Sequence, residues 1–305
     1  MKVLITGASG FLGRHLLQLL LENDLEIHTI DLKPCDIGIQ HNVSLGDIDN
    51  LKNTLIKVAP DYIVHLAGIT HAPDTNTYYT INTGFAANLI SAVKAWGNFS
   101  CPMILTGTSA EYGLVAKEQL PITEDTPAKP YDHYGISKLA QTLMGIREAR
   151  DGLPLIMIRP FNIIGPGMPS HLALQSFVQQ IKKIINKETE PIIETGDLSP
   201  SRDFVDVRDV ADAIWQLLST PPAYGEVINI CTGTGVTIGE LLNRLIDMAN
   251  INVEFQTVSH RIKTVDVPIH FGSLEKLHKL TGFTPKRDLE TTLHDVLEDS
   301  LATTK

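Results

Sequence analysis

The sequence predicts an α/β fold, a doubly wound parallel sheet joined to a smaller, discontinuous α/β domain. Three observations predict it: short apolar runs alternate with amphipathic segments over the first two thirds, a glycine cluster follows the first run, and the pattern loosens after Pro160. Val3 to Ile5, Glu26 to Ile30, Tyr62 to Leu66, Met103 to Thr106 and Leu155 to Ile158 read as buried strands bounded by Gly, Pro or polar residues. Between them Leu12, Leu16, Leu19 and Leu20 recur at helical spacing, as do Leu89, Ile90, Val93 and Trp96. Strand, helix, strand in this order means parallel strands joined by right-handed crossovers.

Past Pro160, Gly165, Pro166, Gly167 and Pro169 mark a long loop, and a helix follows from about Leu172 to Ile185. A helix around Val207 to Leu218 and a strand from Glu226 to Ile230 return to the sheet. A helix at Thr237 to Met248 and short strands near Val253 to Val258 build a small core of their own. The expected division is 1–162 plus 203–232 for the first domain and 163–202 plus 233–305 for the second.

The 305 residues are 43% apolar and carry a net charge of -10, from 25 basic and 35 acidic side chains. That balance supports a sizeable core and argues against nucleic acid or an anionic membrane as partner, since counterion release needs a basic face. Cys35, Cys101 and Cys231 lie far apart with no CxxC pair, so neither a disulfide framework nor a metal site is expected. The apolar run at the second residue leaves no room for a signal peptide, and Arg159, Pro160, Pro166 and Pro169 break the most apolar long stretch; a cytoplasmic location is expected.

Thr6-Gly7-Ala8-Ser9-Gly10-Phe11-Leu12-Gly13 ends a strand and opens a helix, the pattern of a Rossmann-type dinucleotide turn. Gly7 makes the turn, Gly10 admits the pyrophosphate, Gly13 lets helix pack on strand, and the phosphates meet the amides of Phe11 and Leu12. Asp31, 18 residues after Gly13, is the expected partner of the adenosine ribose, which favours NAD(H); Lys33 nearby keeps NADP(H) open. Asp47 and Ile48 either hold the adenine edge or form a solvated turn.

Tyr134 and Lys138, at i and i+4, lie on one helix face, where an ammonium favours ionisation of a neighbouring phenol. Lys138 also fits the nicotinamide ribose. The strand before them ends in Thr106-Gly-Thr-Ser109, at the carboxyl edge where open α/β sheets bind ligands. Thr108 can donate a hydrogen bond to the same substrate oxygen as Tyr134, with Ser109 as the fallback.

With these residues in place the chain resembles the extended short-chain dehydrogenase/reductases that act on nucleotide sugars, over essentially its whole length. The resemblance rests on TGASGFLG, Asp47-Ile48, His65-Leu66-Ala67-Gly68, Thr108 to Gly113, YGISK, Arg159 to Gly167 and Ser201 to Val210. It implies Thr108, Tyr134 and Lys138 as catalytic residues, Leu66, Ala67 and Gly68 lining the cofactor, and Pro160 to Ile163 closing over it. It also implies Asn162, Arg202, Arg261 and Lys263 as holders of the substrate diphosphate, a role suited to guanidinium forks and amides.

The C-terminal half is most similar to GDP-4-keto-6-deoxy-D-mannose reductases. The departures are Lys263 for an arginine, Asp132-His133 for Ser-Pro before the tyrosine, and Asp31 for the basic or hydroxyl residue of NADPH users. The resemblance thus implies an NAD(P)(H)-dependent enzyme acting on a nucleoside-diphosphate sugar, reducing the C4 keto group of a 4-keto-6-deoxyhexose. An NDP-hexose 4-epimerase with bound NAD is the alternative, and a non-catalytic dinucleotide sensor a remote one. A 4,6-dehydratase is not expected: the GDP-mannose dehydratases carry a glutamate where Ala110 stands, and Glu111 falls on the opposite side of an extended strand end. Apolar side chains on more than one face of the helices near Leu89 to Trp96 and Leu139 to Ile146 imply a homodimer, as the family commonly forms.

Overall fold

A computed structural model of the chain describes residues 1–170, 172–261 and 267–302. Seven parallel strands form the central sheet: β1 (Lys2–Thr6), β2 (Glu26–Ile30), β3 (Ile39–Gln40), β4 (Tyr62–His65), β5 (Met103–Thr106), β6 (Leu155–Pro160) and β11 (Val227–Ile230). Their spatial order is β11-β6-β5-β4-β1-β2-β3, so the winding reverses between β1 and β4. Ligands of open α/β sheets bind outside the carboxyl ends at such a reversal.

A parallel sheet covered on both faces needs apolar residues at successive positions, because alternate side chains point to opposite layers. Val3, Ile5, Ile104, Ile156 and Ile158 pack with helices α1 (Phe11–Glu22) and α7 (Val207–Leu218). Leu4, Met103, Leu105, Leu155 and Met157 face the other layer, with α2 (Ile48–Val58) and α4 (Phe85–Trp96). Leu89, Ile90 and Val93 of α4 are swallowed by this core, so they offer no second apolar face for a partner. The exposed apolar residues on α5 (His133–Arg150) are Ile136 and Leu143. A short helix α3 (Thr75–Tyr78) runs into a π-helical turn, Tyr79–Gly84, ahead of α4.

The remaining elements gather beside the carboxyl edge. Three strand groupings lie there: β7 (Asn162–Ile164) with β10 (Phe204–Asp206), β8 (Ile192–Thr195) with β13 (Glu254–Thr257), and β9 (Ser201–Arg202) between β12 (Val236–Thr237) and β14 (Ile269–His270). Helices α6 (Ala173–Ile185), α8 (Ile238–Ala249) and α10 (Leu289–Ala302) enclose a second core built on Phe177, Ile181, Leu242, Leu245, Leu293 and Val296. The short α9 (Glu275–Thr281) packs on the first core through Leu277.

Asp203, fully buried between β9 and β10, ties these pieces together. Its carboxylate accepts from Thr232 N (2.8 Å), Thr232 Oγ1 (2.7 Å), Gly233 N (2.9 Å) and Gly272 N (3.3 Å), while its carbonyl accepts from Asn162 N (3.0 Å). Asp203→Asn keeps the shape but turns one oxygen into a donor facing donors, whichever way the amide lies. The expected cost is roughly 2–3 kcal/mol of unfolding free energy, read by urea denaturation; a loss below about 0.5 kcal/mol would show that these contacts do not hold the junction.

Candidate active site

Two loops flank the reversal, the glycine turn after β1 and the segment Leu66–Gly68 after β4. Gly7 sits at φ +75, and a Cβ there would lie 2.6 Å from the Ala67 amide nitrogen, so glycine alone lets the loops approach. A Cβ on Gly13 would collide with the carbonyl oxygens of Gly7 and Ala8. Gly10 is the N-cap of α1 and brings no side chain to its first turn, where Phe11 and Leu12 stand. A glycine cradle opening onto an uncapped helix N-terminus fits a pyrophosphate.

Asp31 follows β2 and its carboxylate accepts from Ser9 N (2.8 Å), Ser9 Oγ (2.8 Å) and Lys33 N (2.9 Å). It is thereby fixed beside the glycine turn. Asp47 acts locally and caps α2, accepting from Asn50 N (3.1 Å) and Asn50 Nδ2 (2.7 Å), with Ile48 as the first helical residue.

Across the cleft, α5 starts at the N-cap Asp132, which accepts from Gly135 N (2.7 Å), and carries Tyr134 and Lys138 one turn apart. The Lys138 ammonium is buried and donates to the Thr106 carbonyl (2.7 Å) and towards Gln141 Oε1 (3.4 Å). A Cβ on Gly68 would lie 2.9 Å from Lys138 Nζ, so the ammonium abuts the segment after β4. Burial lowers Lys138 to about 8, opposed by the negative charge of Glu111. Burial raises Tyr134 to about 12, and a hydrogen bond with the Thr108 side chain pulls it back. Thr108 is thus the hydroxyl that meets Tyr134, whereas Ser109 is buried.

The chain beyond β5 is not extended. Thr108 caps a 3-10 turn, Ser109–Tyr112, its hydroxyl accepting from Ala110 N (3.2 Å). The strand alternation expected for Ala110 and Glu111 is therefore replaced by a turn, although Glu111 still points inward. Its carboxylate accepts from Thr108 N (3.0 Å), Thr142 Oγ1 (3.0 Å) and Arg159 Nε (2.8 Å).

Two positioning groups are given no role by the sequence. Asn82, wholly buried in the π-helical turn, donates to Ile69 O (3.0 Å) and Ser137 Oγ (3.0 Å) and accepts from Ile69 N (2.8 Å), clamping the loop after Gly68 onto α5. His65 shares a hydrogen bond with Thr6 Oγ1 (2.7 Å) across the reversal, and burial depresses it to about 3, so its ring is neutral. The one available signal was polar residues amid apolar neighbours.

On the far side, Pro160 ends β6, and Asn162 and Ile163 lie on β7, where Asn162 Nδ2 donates to the Asp203 carbonyl (3.1 Å). Arg202 Nη1 donates to the carbonyls of Ser201 (2.8 Å) and Val267 (2.5 Å) and pairs in register with His270, whose pKa burial lowers to about 4. Arg261 Nη1 donates to Ser176 Oγ (2.9 Å) and its Nη2 lies 3.5 Å from Glu194. Both guanidinium groups are thus engaged by the protein. Lys263 falls outside the described residues. Among the described residues no cluster of His, Cys, Asp and Glu suits a metal ion.

A glycine cradle at the sheet reversal, facing a Tyr-Lys helix turn, defines a dinucleotide-dependent enzyme of the short-chain dehydrogenase/reductase type. The sequence matches the NAD dependent epimerase/dehydratase family over residues 3–231, and the chain belongs to that family. It is 34% identical to the GDP-6-deoxy-D-mannose reductase of Pseudomonas aeruginosa over 98% of this chain and 96% of the relative. The GDP-6-deoxy-D-talose 4-dehydrogenase of Aggregatibacter actinomycetemcomitans is 28% identical, covering 92% of each. Among solved structures, RMD from Pseudomonas aeruginosa complexed with NADPH superposes with a TM-score of 0.87 at 31% identity, over 99% of both chains.

The close approach at Gly7 gives a direct test. Gly7→Ala places a methyl group against backbone in a conformation that L residues avoid, so dinucleotide affinity is expected to fall at least about tenfold. Isothermal titration checks this, and unchanged affinity would show that the turn does not shape the cofactor site.

Proposed function

We propose that this protein is an NAD(P)(H)-dependent nucleotide-sugar oxidoreductase that reduces the C4 keto group of a GDP- or other NDP-4-keto-6-deoxyhexose. The observation that carries the reading is the Tyr134 phenol beside the Thr108 side chain, one helical turn from the Lys138 ammonium, at the carboxyl edge of the sheet. A bound nicotinamide supplies the hydride that reaches C4. The Tyr134 phenol gives its proton to the C4 oxygen, and the Thr108 hydroxyl donates a hydrogen bond to that oxygen, so the ketone leaves as an alcohol. Lys138 stabilises the phenolate left behind, which recovers its proton from solvent. Asn162, Arg202, Arg261 and Lys263 are the groups we assign to the substrate diphosphate.

NAD(H) is the favoured cofactor, because Asp31 is a fixed carboxylate beside the glycine turn and repels a 2′-phosphate. NADP(H) is the alternative, supported by Lys33 and by the NADPH bound to the Pseudomonas relative. A 4-epimerase that retains NAD is the second reading, supported by the family to which the chain belongs. The presence of both Tyr134 and Lys138 disfavours a non-catalytic sensor, and the Glu111 carboxylate, turned towards Arg159, disfavours a 4,6-dehydratase. We further assign 1–162 with 203–232 to cofactor binding and 163–202 with 233–305 to the nucleotide sugar. A homodimer is proposed through the apolar residues Ile136 and Leu143 of α5, and a cytoplasmic location is proposed; no described helix is long and apolar enough to cross a membrane.

Purified protein given NADH and a GDP-4-keto-6-deoxyhexose should oxidise NADH stoichiometrically, faster than NADPH. Stoichiometric NAD released on denaturation, with no NADH consumed in turnover, would replace the reductase by the epimerase. Tyr134→Phe should leave NADH binding nearly intact and lower turnover by a factor on the order of 10² or more; full activity would remove Tyr134 from the reaction.

The pH dependence follows from Lys138. Below about 8 it carries its proton and above that value it loses it, so turnover should decline as pH rises through about 8. A flat profile across that window would separate Lys138 from catalysis.

A further inference from the structure

We propose that Glu111 is a positioning residue of this site, whose buried carboxylate holds the Thr108 turn in place and sets the charge balance around the Lys138 ammonium. The proposal rests on the oxidoreductase reading for its kinetic consequences and on geometry for its structural ones. A carboxylate with no exposure to solvent survives only if its oxygens are fully occupied, and here they are: Oε1 takes Thr108 N and Thr142 Oγ1, and Oε2 takes Arg159 Nε. Each partner belongs to a different piece of the site. Thr108 faces Tyr134, Thr142 lies one helical turn beyond Lys138 on α5, and Arg159 precedes Pro160 to Ile163 on β6.

A Cβ on Gly107 would collide with Glu111 Oε1, so the carboxylate lies directly under the peptide that joins Thr106, the acceptor of the Lys138 ammonium, to Thr108. Arg159 is itself braced from the other side, its guanidinium 4.6 Å from the centre of the Tyr112 ring. One buried pair therefore fixes the acceptor of the lysine, the hydroxyl that faces the tyrosine, and the end of the strand β6 that leads to the substrate side.

The titratable groups around Glu111 and Arg159 are Tyr134 and Lys138 from α5 and Tyr112 from the turn, with His65 from β4 facing Lys138 and Asp132 and Tyr78 facing Tyr134. His65 is held neutral, so Glu111 is the carboxylate whose charge favours the Lys138 ammonium. The same charge disfavours the Tyr134 phenolate. Removing it lowers both pKa values, and both shifts move the alkaline limb of the activity profile to lower pH.

Glu111→Gln and the pair Glu111→Gln with Arg159→Met separate the two effects. In the single variant the amide cannot accept from Arg159 and from Thr108 at once, so the turn loosens and the charge is lost. The expectation is a kcat lower by on the order of tenfold to a hundredfold with KM nearly unchanged, and an alkaline limb displaced towards lower pH. In the double variant the amide oxygen is free to face Thr108 N, and no buried cation is left alone. Its kcat should recover towards wild type while the limb stays displaced, a combination that general loss of stability does not produce.

Should the single variant not fold, the double variant carries the test of the limb. Glu111→Asp retains the charge and should return the limb to its wild-type position. The pH dependence of NADH affinity reads the Lys138 proton without turnover, so it reports on the pair even if wild-type protein turns over no 4-keto sugar. A folded Glu111→Gln protein with wild-type kcat would overturn the positioning role. A double variant whose limb and NADH profile match wild type would overturn the electrostatic one.

Discussion

Lys138 brings an ammonium into the interior, against the general cost of taking a charge out of water. The surroundings of β5 meet that cost in part: the Thr106 carbonyl accepts at 2.7 Å, Gln141 stands by, and Glu111 contributes opposite charge. The balance remains unfavourable, which is why the amine falls to about 8. Between about 8 and the ordinary lysine range the unfolded chain holds a proton that the folded chain lacks, so the folded state gains stability as pH rises through that window. At neutral pH the site is held together against this deficit by the rest of the fold, as is common where chemistry needs a perturbed group.

The fold supplies what the lysine requires by placing three chain segments around it. α5 presents Tyr134 and Lys138 on one face, β5 presents a carbonyl and then the Thr108 turn, and the segment after β4 leaves Gly68 where a larger residue would press on the ammonium. Asn82 and Ser137 join the first and third of these through hydrogen bonds of 3.0 Å, inside a π-helical turn whose extra residue aims the amide at Ile69. None of these contacts is strong alone. Together they leave little freedom for the amine, and a charge with fixed neighbours is what proton transfer at a defined oxygen needs.

Much of this was legible in the sequence, for reasons that differ by element. A parallel sheet buried on both faces writes itself as uninterrupted apolar runs, so β1 and β5 could be placed closely from Val3 and Ile104 and their neighbours. The glycine turn was legible because each glycine answers a steric demand: Gly7 meets Ala67 N, and Gly13 meets the carbonyls of Gly7 and Ala8. What stayed hidden depended on distant partners. Glu111 reads as one more polar residue at a strand end until Arg159, 48 positions on, is brought beside it. The two-residue strand β3 and the small pairings of β9 with β12 and β14 carry too few residues for periodicity to register. Apolar count misled at α4, because Leu89, Ile90 and Val93 face the protein's own core.

The junction between the two cores follows the same logic of borrowed contacts. From α1, Arg14 donates to the Gly167 carbonyl (2.9 Å) and His15 shares a hydrogen bond with the Pro166 carbonyl (2.9 Å), while the Gly167 amide donates to Asp299 of α10 (2.9 Å). Phe11, at the opening of the same helix, packs against both cores. Further along, Asp206 caps α7, takes a two-pronged contact from Arg208 and accepts from Thr292 of α10 (2.8 Å). The helix that begins at the glycine turn is therefore hydrogen-bonded to the loop following β7, and through that loop to α10. The first turn of α1 is thus joined, by short polar contacts and close packing, to the side of the molecule that carries Asn162 and Arg202.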